Sequence, residues 1–240
     1  MSYKITKCIF IMFVGLCAAF GANATYKKGG ISLDVTRVVF TSDNESVAFR
    51  VNNSSKEDVW LLKSWVSQFE NYNDKSVPFF ITPPLIRINE DEKRQFRINK
   101  LDDASLLPSD RESIFHINVM AIPPVENKKT AAGHIELTIM HQIKLLYRPA
   151  SIEDRKEIES LNKKIQISKT NNGVKLKNPT PYYASMGRLA LNNKNVTDES
   201  FQMIAPFSEI NIPSKAPVKT VDFNLINDFG GMTRSVSVVF

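Results

Sequence analysis

Short segments rich in β-branched and aromatic residues, each cut off by a polar turn, recur along the chain from Ile31 onward. The first set comprises Ile31 to Phe40, Ser46 to Val51, Val59 to Phe69, Phe79 to Ile88, Gln95 to Leu101, Ser113 to Ile122 and Ile135 to Tyr147. Side chains alternate faces at every residue of a strand, so short runs of this composition bury one face and wet the other, as in an antiparallel sandwich. Ser42-Asp43-Asn44, Asn52-Asn53-Ser54-Ser55 and Asn71-Tyr72-Asn73-Asp74 supply the turn chemistry between them.

The seven segments predict an all-β, immunoglobulin-like sandwich for the first half of the chain. After Arg148-Pro149 the alternation gives way to Ser151-Ile152-Glu153-Asp154-Arg155-Lys156-Glu157, a charged stretch expected to be a solvated linker. Alternation resumes at Ile165-Gln166-Ile167 and runs through Val174 to Leu176, Tyr182 to Leu191, Ile210 to Ile212, Val221 to Leu225 and Ser235 to Phe240. The expected organisation is a first domain over residues 25–148, a linker over 149–157 and a second β-domain over 158–240.

Residues 1–24 have the build of a secretory signal peptide. Lys4 and Lys7 are followed by an apolar stretch from Cys8 to Phe20 and by the small-x-small pattern Ala22-Asn23-Ala24. That stretch is shorter than the roughly 18–20 apolar residues a spanning helix needs. Cleavage after Ala24 removes both cysteines, Cys8 and Cys17, so the mature chain must hold its fold by burial without disulfides. It also removes Lys4 and Lys7 and lowers the formal charge from +6 to +4. This mild basic excess, with no cationic stripe interleaved with aromatics, gives no reason to expect nucleic acid as a partner. It favours an acidic group on a protein.

No catalytic, metal or cofactor site is expected. His116, His134 and His141 are the only histidines, and His134 and His141, seven apart, fall on opposite faces of one strand. There is no cysteine nucleophile, Gly-x-Ser-x-Gly elbow or phosphate-binding glycine loop.

From His134 to Tyr147 the alternation is unusually long, with Ile135, Leu137, Ile139, His141, Ile143, Leu145 and Tyr147 sharing one face. Fourteen residues at about 3.3 Å each span roughly 45 Å, more than twice an ordinary strand of about 17–20 Å. Long apolar edges template aggregation, so one that is kept points to a partner that covers it. The alternative is a long core strand, because apolar alternation by itself signals burial.

Several motifs occur in a fixed order: Thr36-Arg37-Val38-Val39-Phe40, Thr82-Pro83-Pro84-Leu85, Arg111-Glu112-Ser113-Ile114-Phe115, Ala121-Ile122-Pro123-Pro124, Ile143 to Pro149, Asn178-Pro179-Thr180-Pro181-Tyr182-Tyr183 and Ile226-Asn227-Asp228-Phe229-Gly230-Gly231. Together they resemble the periplasmic chaperones of the chaperone-usher pilus pathway, and the stretch without cysteine between Pro124 and Ile143 resembles the short-loop branch. The resemblance implies two immunoglobulin-like domains in a boomerang with a working cleft between them. It also implies a periplasmic protein that binds pilus subunits by donor-strand addition and passes them to an outer-membrane usher, with self-association of the free protein left open. By position Ile135, Leu137 and Ile139 are the implied donor side chains. Arg37 and Lys144 are the implied anchors of a subunit's C-terminal carboxylate, and Glu112, Arg148 and Asp228 the implied interdomain salt bridges. His116 and Phe229 depart from residues common in relatives. The rival expectation is a secreted adhesin or pilus subunit, which the lack of cysteine and the two-domain length count against.

Overall fold

The structure, a computed structural model, describes residues 29–123, 137–198, 201 and 203–240. The signal segment expected over residues 1–24 lies outside the described residues, as do His134 and Ile135.

The first sandwich is built from β1 (Ile31–Leu33), β2 (Arg37–Thr41), β3 (Ser46–Asn53), β4 (Trp60–Gln68), β5 (Phe79–Thr82), β6 (Leu85–Ile88), β7 (Lys93–Lys100), β8 (Ser113–Ile122) and β9 (Ile139–Arg148). One sheet runs β1-β3-β7-β5 and the other β2-β9-β8-β4-β6. Inward residues of the two sheets interdigitate in a core dominated by Phe40, Phe49, Phe79, Phe96, Phe115 and Tyr147. Phe40, Phe79, Phe115 and Tyr147 pack ring against ring, with centroids 5.1–6.2 Å apart. Each of these aromatics buries a large apolar surface, which is how the fold is held without a disulfide.

Two segments expected as single strands are each divided. Ile31 to Phe40 serves both sheets, β1 pairing with β3 and β2 crossing over to lie parallel to β9. The crossing at Asp34 to Thr36 shifts the inward phase, so Val38 and Phe40 enter the core while Arg37 turns to the opposite face. Phe79 to Ile88 is broken at Pro83-Pro84, whose missing N–H groups cannot extend a ladder.

The charged stretch after Pro149 is more ordered than the expected linker. Asp154 caps a helix α1 (Arg155–Glu159) by accepting from the N–H groups of Lys156 and Glu157, and α2 (Leu161–Lys164) follows. The second sandwich comprises β10 (Gln166–Thr170), β11 (Gly173–Lys177), β12 (Ala184–Leu191), β13 (Lys194–Asn195), β14 (Met203–Ile204), β15 (Glu209–Pro213), β16 (Thr220–Leu225) and β17 (Val236–Val239). Its sheets are β10-β11-β15 and β13-β12-β16-β17, with β14 also on β12, around a core of Val174, Leu176, Ile204, Val221, Phe223 and Leu225.

Candidate functional site: the cleft face of β9

β9 pairs with β8 from Ala121 opposite Ile139 to Ser113 opposite Tyr147. On its other edge it pairs with β2 only from Lys144 to Arg148. Ile139 to Ile143 thus carry an edge that is unpaired among the described residues. This strand is ten residues long, shorter than the run of alternation suggests, and it begins at Ile139. Leu137 and Thr138 precede it outside any ladder.

Alternation assigns the two faces of β9. Ile143, Leu145 and Tyr147 pack into the first core. Ile139 and Leu137 continue the same row past the end of that core and stand 52% and 73% exposed. The apolar row therefore serves its own sandwich at one end and is bare at the other. The reading of a long core strand holds for Ile143 to Tyr147 and fails for Leu137 and Ile139.

The opposite face of β9 looks into a cleft between the sandwiches. Arg37 and Lys144 are direct partners in the parallel β2–β9 register, so they meet on that face, and His116 on β8 follows Lys144 in the same row. Beside them Asn118 donates to Ser67 Oγ and accepts from Gln142 Nε2, both at 2.9 Å, a satisfied polar layer under the row. Burial, with the Arg37 guanidinium adding to it, lowers the Lys144 ammonium to about 8. Burial also lowers Arg37, against the favourable charges of Asp228 and Glu112. Lowered by burial and then by Lys144, the His116 imidazole stacks on Phe69 at 4.3 Å.

Glu112, Arg148 and Asp228 come together at the base of the cleft. Arg148 Nε donates to Glu112 Oε1 at 2.7 Å, while Nη1 and Nη2 grip both Asp228 oxygens at 2.8 and 3.0 Å. Glu153 adds a fourth member at 3.2 Å. The core of this cluster is shielded from solvent, since the Arg148 and Glu112 side chains are 3% and 1% accessible. Burial acts to lower Arg148, but the bonds to Asp228 and the charge of Glu112 outweigh it and raise its pKa. Burial raises the Glu112 carboxyl, opposed by Arg148 and by the Tyr183 N–H that donates to Glu112 Oε2 at 2.7 Å.

Two motifs of the second sandwich shape its side of the cleft. In Asn178-Pro179-Thr180-Pro181-Tyr182-Tyr183 the buried Asn178 amide donates to the Tyr182 and Ala205 carbonyls and accepts from Thr180, so a proline-rich loop keeps its polar groups paired. In the Ile226–Gly231 turn Asn227 Oδ1 accepts from the N–H groups of Phe229 and Gly231, which presents Asp228 to Arg148. A cavity of about 670 Å³ lies between the sandwiches, with Arg37, Leu146, Arg148, Ile226 and Asp228 in its wall.

Sequence reasoning missed the partners of the two cations. Lys144 Nζ donates to Ser185 Oγ at 3.1 Å, and Arg37 Nη1 donates to the Ile226 carbonyl at 3.3 Å. A backbone carbonyl has no residue signature, and nothing in the chain links position 37 to position 226 before it folds.

Residues 30–153 match the family described as pili and flagellar-assembly chaperone, PapD N-terminal domain. Residues 160–237 match the pili assembly chaperone PapD, C-terminal domain. The chain is 33% identical over 232 residues to chaperone protein PapD of Escherichia coli, covering 95% of this chain and 92% of the relative. Among solved structures it resembles the Salmonella enterica SafA pilin in complex with the SafB chaperone, with a TM-score of 0.77, 26% identity and coverage of 90% and 98%. The periplasmic chaperone SfaE is similar with a TM-score of 0.71, 28% identity and coverage of 88% and 100%.

Proposed function

The chain belongs to the PapD family of pilus assembly chaperones, and we propose that it captures pilus subunits in the periplasm by lending them the free edge of β9. The observation that carries this reading is where the free edge stops. Among the described residues nothing pairs with that edge from Ile139 to Ile143, and at Lys144 it is taken by Arg37 at the start of β2. A strand added along that edge must end at the two cations. Charge then selects its direction, because a terminal carboxylate accepts hydrogen bonds from both whereas a terminal ammonium is repelled by both. The added strand runs parallel to β9 with its C-terminus at Arg37 and Lys144, and that fixed end sets its register.

Leu137 and Ile139 supply the apolar side chains that enter the incomplete subunit, with Ile135 beyond the described residues as the third. Burying three such side chains contributes about 5–9 kcal/mol. Association costs an estimated 4–15 kcal/mol. The two are about equal, so the margin that makes a stable complex comes from backbone pairing along the edge and the carboxylate grip. The same bare edge in the free protein is open to a second copy, which makes self-association the competing state. Delivery of the loaded subunit to an outer-membrane usher completes the reading and rests on the resemblance to the chaperone-usher pathway. The expected signal peptide and the likeness to a periplasmic chaperone support the compartment.

Co-expression with pilins encoded beside this chaperone tests the reading. The expected product is a soluble one-to-one complex that is lost when the pilin's last residues are removed. A chain that polymerises by itself and captures no pilin overturns it in favour of the subunit alternative.

A further inference from the structure

Lys144 and Arg37 belong to the first sandwich, yet both are bonded to the second, through Ser185 Oγ and the Ile226 carbonyl. Those two acceptors are joined to each other, since Ile226 N donates to the Ser185 carbonyl at 2.8 Å. One rigid pair of residues at the junction of β12 and β16 therefore meets both cations. A third contact acts on the chain just before Arg37. Gly230 has φ of +83°, and a Cβ placed there would lie 2.4 Å from Thr36 Oγ1, inside any tolerable contact. The turn that presents Asp228 to Arg148 thus also rests against the residue that leads into Arg37.

We infer that the second sandwich is a working half of the carboxylate anchor, with Ser185 and the Ile226–Gly231 turn positioning Lys144 and Arg37 at the spacing a terminal carboxylate requires. The inference rests on the carboxylate reading given above and adds to it the reason a second domain is needed when the donor strand lies wholly in the first. Lysine and arginine side chains are long and lose much rotamer freedom when each is held in one geometry. Holding both before the subunit arrives moves that cost from binding to folding, which is what preorganisation means for affinity. Glycine at position 230 lets the turn approach this closely, because a Cβ there would press on the Thr36 hydroxyl, the side chain next to Arg37.

The experiment measures binding of a peptide copying the last ~15 residues of a pilin encoded beside the chaperone, made with a free C-terminal carboxylate and as the C-terminal amide. Gly230→Ala is expected to weaken the carboxylate peptide by roughly tenfold and to leave the amide nearly unaffected. Adding Thr36→Ala removes the group with which the new methyl collides and is expected to restore binding to within about threefold. Loss that Thr36→Ala does not restore, or no loss at all, overturns the inference, since backbone strain at a positive φ is blind to position 36.

Ser185→Ala supplies an independent readout should Gly230→Ala fail to fold. The groups facing Lys144 are Arg37 from β2, His116 from β8 and Ser185 from β12, and of these only Ser185 stabilises the ammonium. Its removal is expected to weaken the carboxylate peptide by about 3–10-fold and to move the alkaline loss of binding to lower pH. An unchanged pH profile overturns the positioning role. Arg37→Ala, measured in parallel, separates the two claims. Full binding by that variant defeats the anchor itself, whereas loss there with normal binding by Ser185→Ala and Gly230→Ala defeats only the part assigned to the second sandwich.

Discussion

Arg37 and Lys144 stand directly opposite one another in the parallel β2–β9 register, two cations side by side in a half-buried cleft. Like charges at such a spacing raise the energy of the free protein, and an anion between them lowers it. Arg37→Ala and Lys144→Ala are each expected to reduce subunit capture by roughly 10–150-fold, the worth of a hydrogen bond to a charged group. Lys144→Met is expected to leave the unfolding midpoint unchanged or higher, because it removes an ammonium that burial and Arg37 disfavour. Co-purification yield and thermal melts check the pair of outcomes, and a variant that captures a pilin at the normal level refutes the assignment.

Subunit capture should fail at alkaline pH while the fold does not. Lys144 titrates at about 8 in the free protein, well under the ordinary lysine value of 10.5. A carboxylate raises it again, so binding takes up a proton above pH 8, and affinity is expected to be flat from about pH 5, where the terminal carboxylate is ionised, and to fall by up to tenfold per pH unit beyond about 8. Stability moves the other way. The folded state favours neutral lysine, so this group's contribution to stability rises as pH climbs from about 8 towards 10.5. Isothermal titration across that window, with an amidated peptide as control, should give a slope for the carboxylate form and none for the amide. A flat profile for both shows that Lys144 does not hold the terminus.

Leu137 and Ile139 are exposed in the free protein, so their substitution separates binding from folding. Leu137→Asp and Ile139→Asp are expected to change stability by less than about 0.5 kcal/mol. Each loses the burial of an aliphatic side chain, about 1.5–3 kcal/mol, or roughly 10–150-fold in capture. Leu137→Ile keeps the apolar volume and is expected to be tolerated. Equal pilin yields from the aspartate variants and the parent chain would exclude these residues from the contact.

The strands are largely legible because period-two alternation is a local signal, and the alternating run Ser113 to Ile122 coincides with β8 end to end. The division of Ile31 to Phe40 is not, since the strand changes sheets at Asp34 to Thr36 and the neighbours that draw it across are more than 100 positions away on β9. The helix α1 carried a visible signal, Asp154 three residues before Glu157, which a stretch dense in charge concealed. Spacing favours an ordinary strand cation at Lys144 and is neutral at Arg37, which interrupts the apolar series Ile31, Leu33, Val35 and Val39, so it takes the resemblance to single out both. Ser185 and the Ile226 carbonyl had no signal at all, because what matters in them is where the second sandwich sets them against the first.

The buried cluster around Arg148 ties stability to domain geometry. Glu112 is bonded to Arg148 and to the Tyr183 N–H of the second sandwich, so it serves both halves from a fully buried position. Glu112→Ala leaves the guanidinium short of a buried partner and is expected to cost about 3–5 kcal/mol of unfolding free energy. Asp228 is more open, its side chain 27% accessible, and Arg148 keeps Glu112 and Glu153 when it is neutralised. Asp228→Asn is therefore expected to cost less, roughly 1–2 kcal/mol, as the loss of a charge-assisted contact at a partly wet site. Its larger effect falls on the angle between the sandwiches, because Asp228 is the carboxylate by which the Ile226–Gly231 turn reaches Arg148. Denaturant melts give the energies, and small-angle scattering should show a broader range of separations between the sandwiches for Asp228→Asn than for the parent. Since both carboxylates share Arg148, the double variant Glu112→Gln with Asp228→Asn should depart from additivity. Additive energies together with unchanged scattering would mean that these charges do not act as one lock.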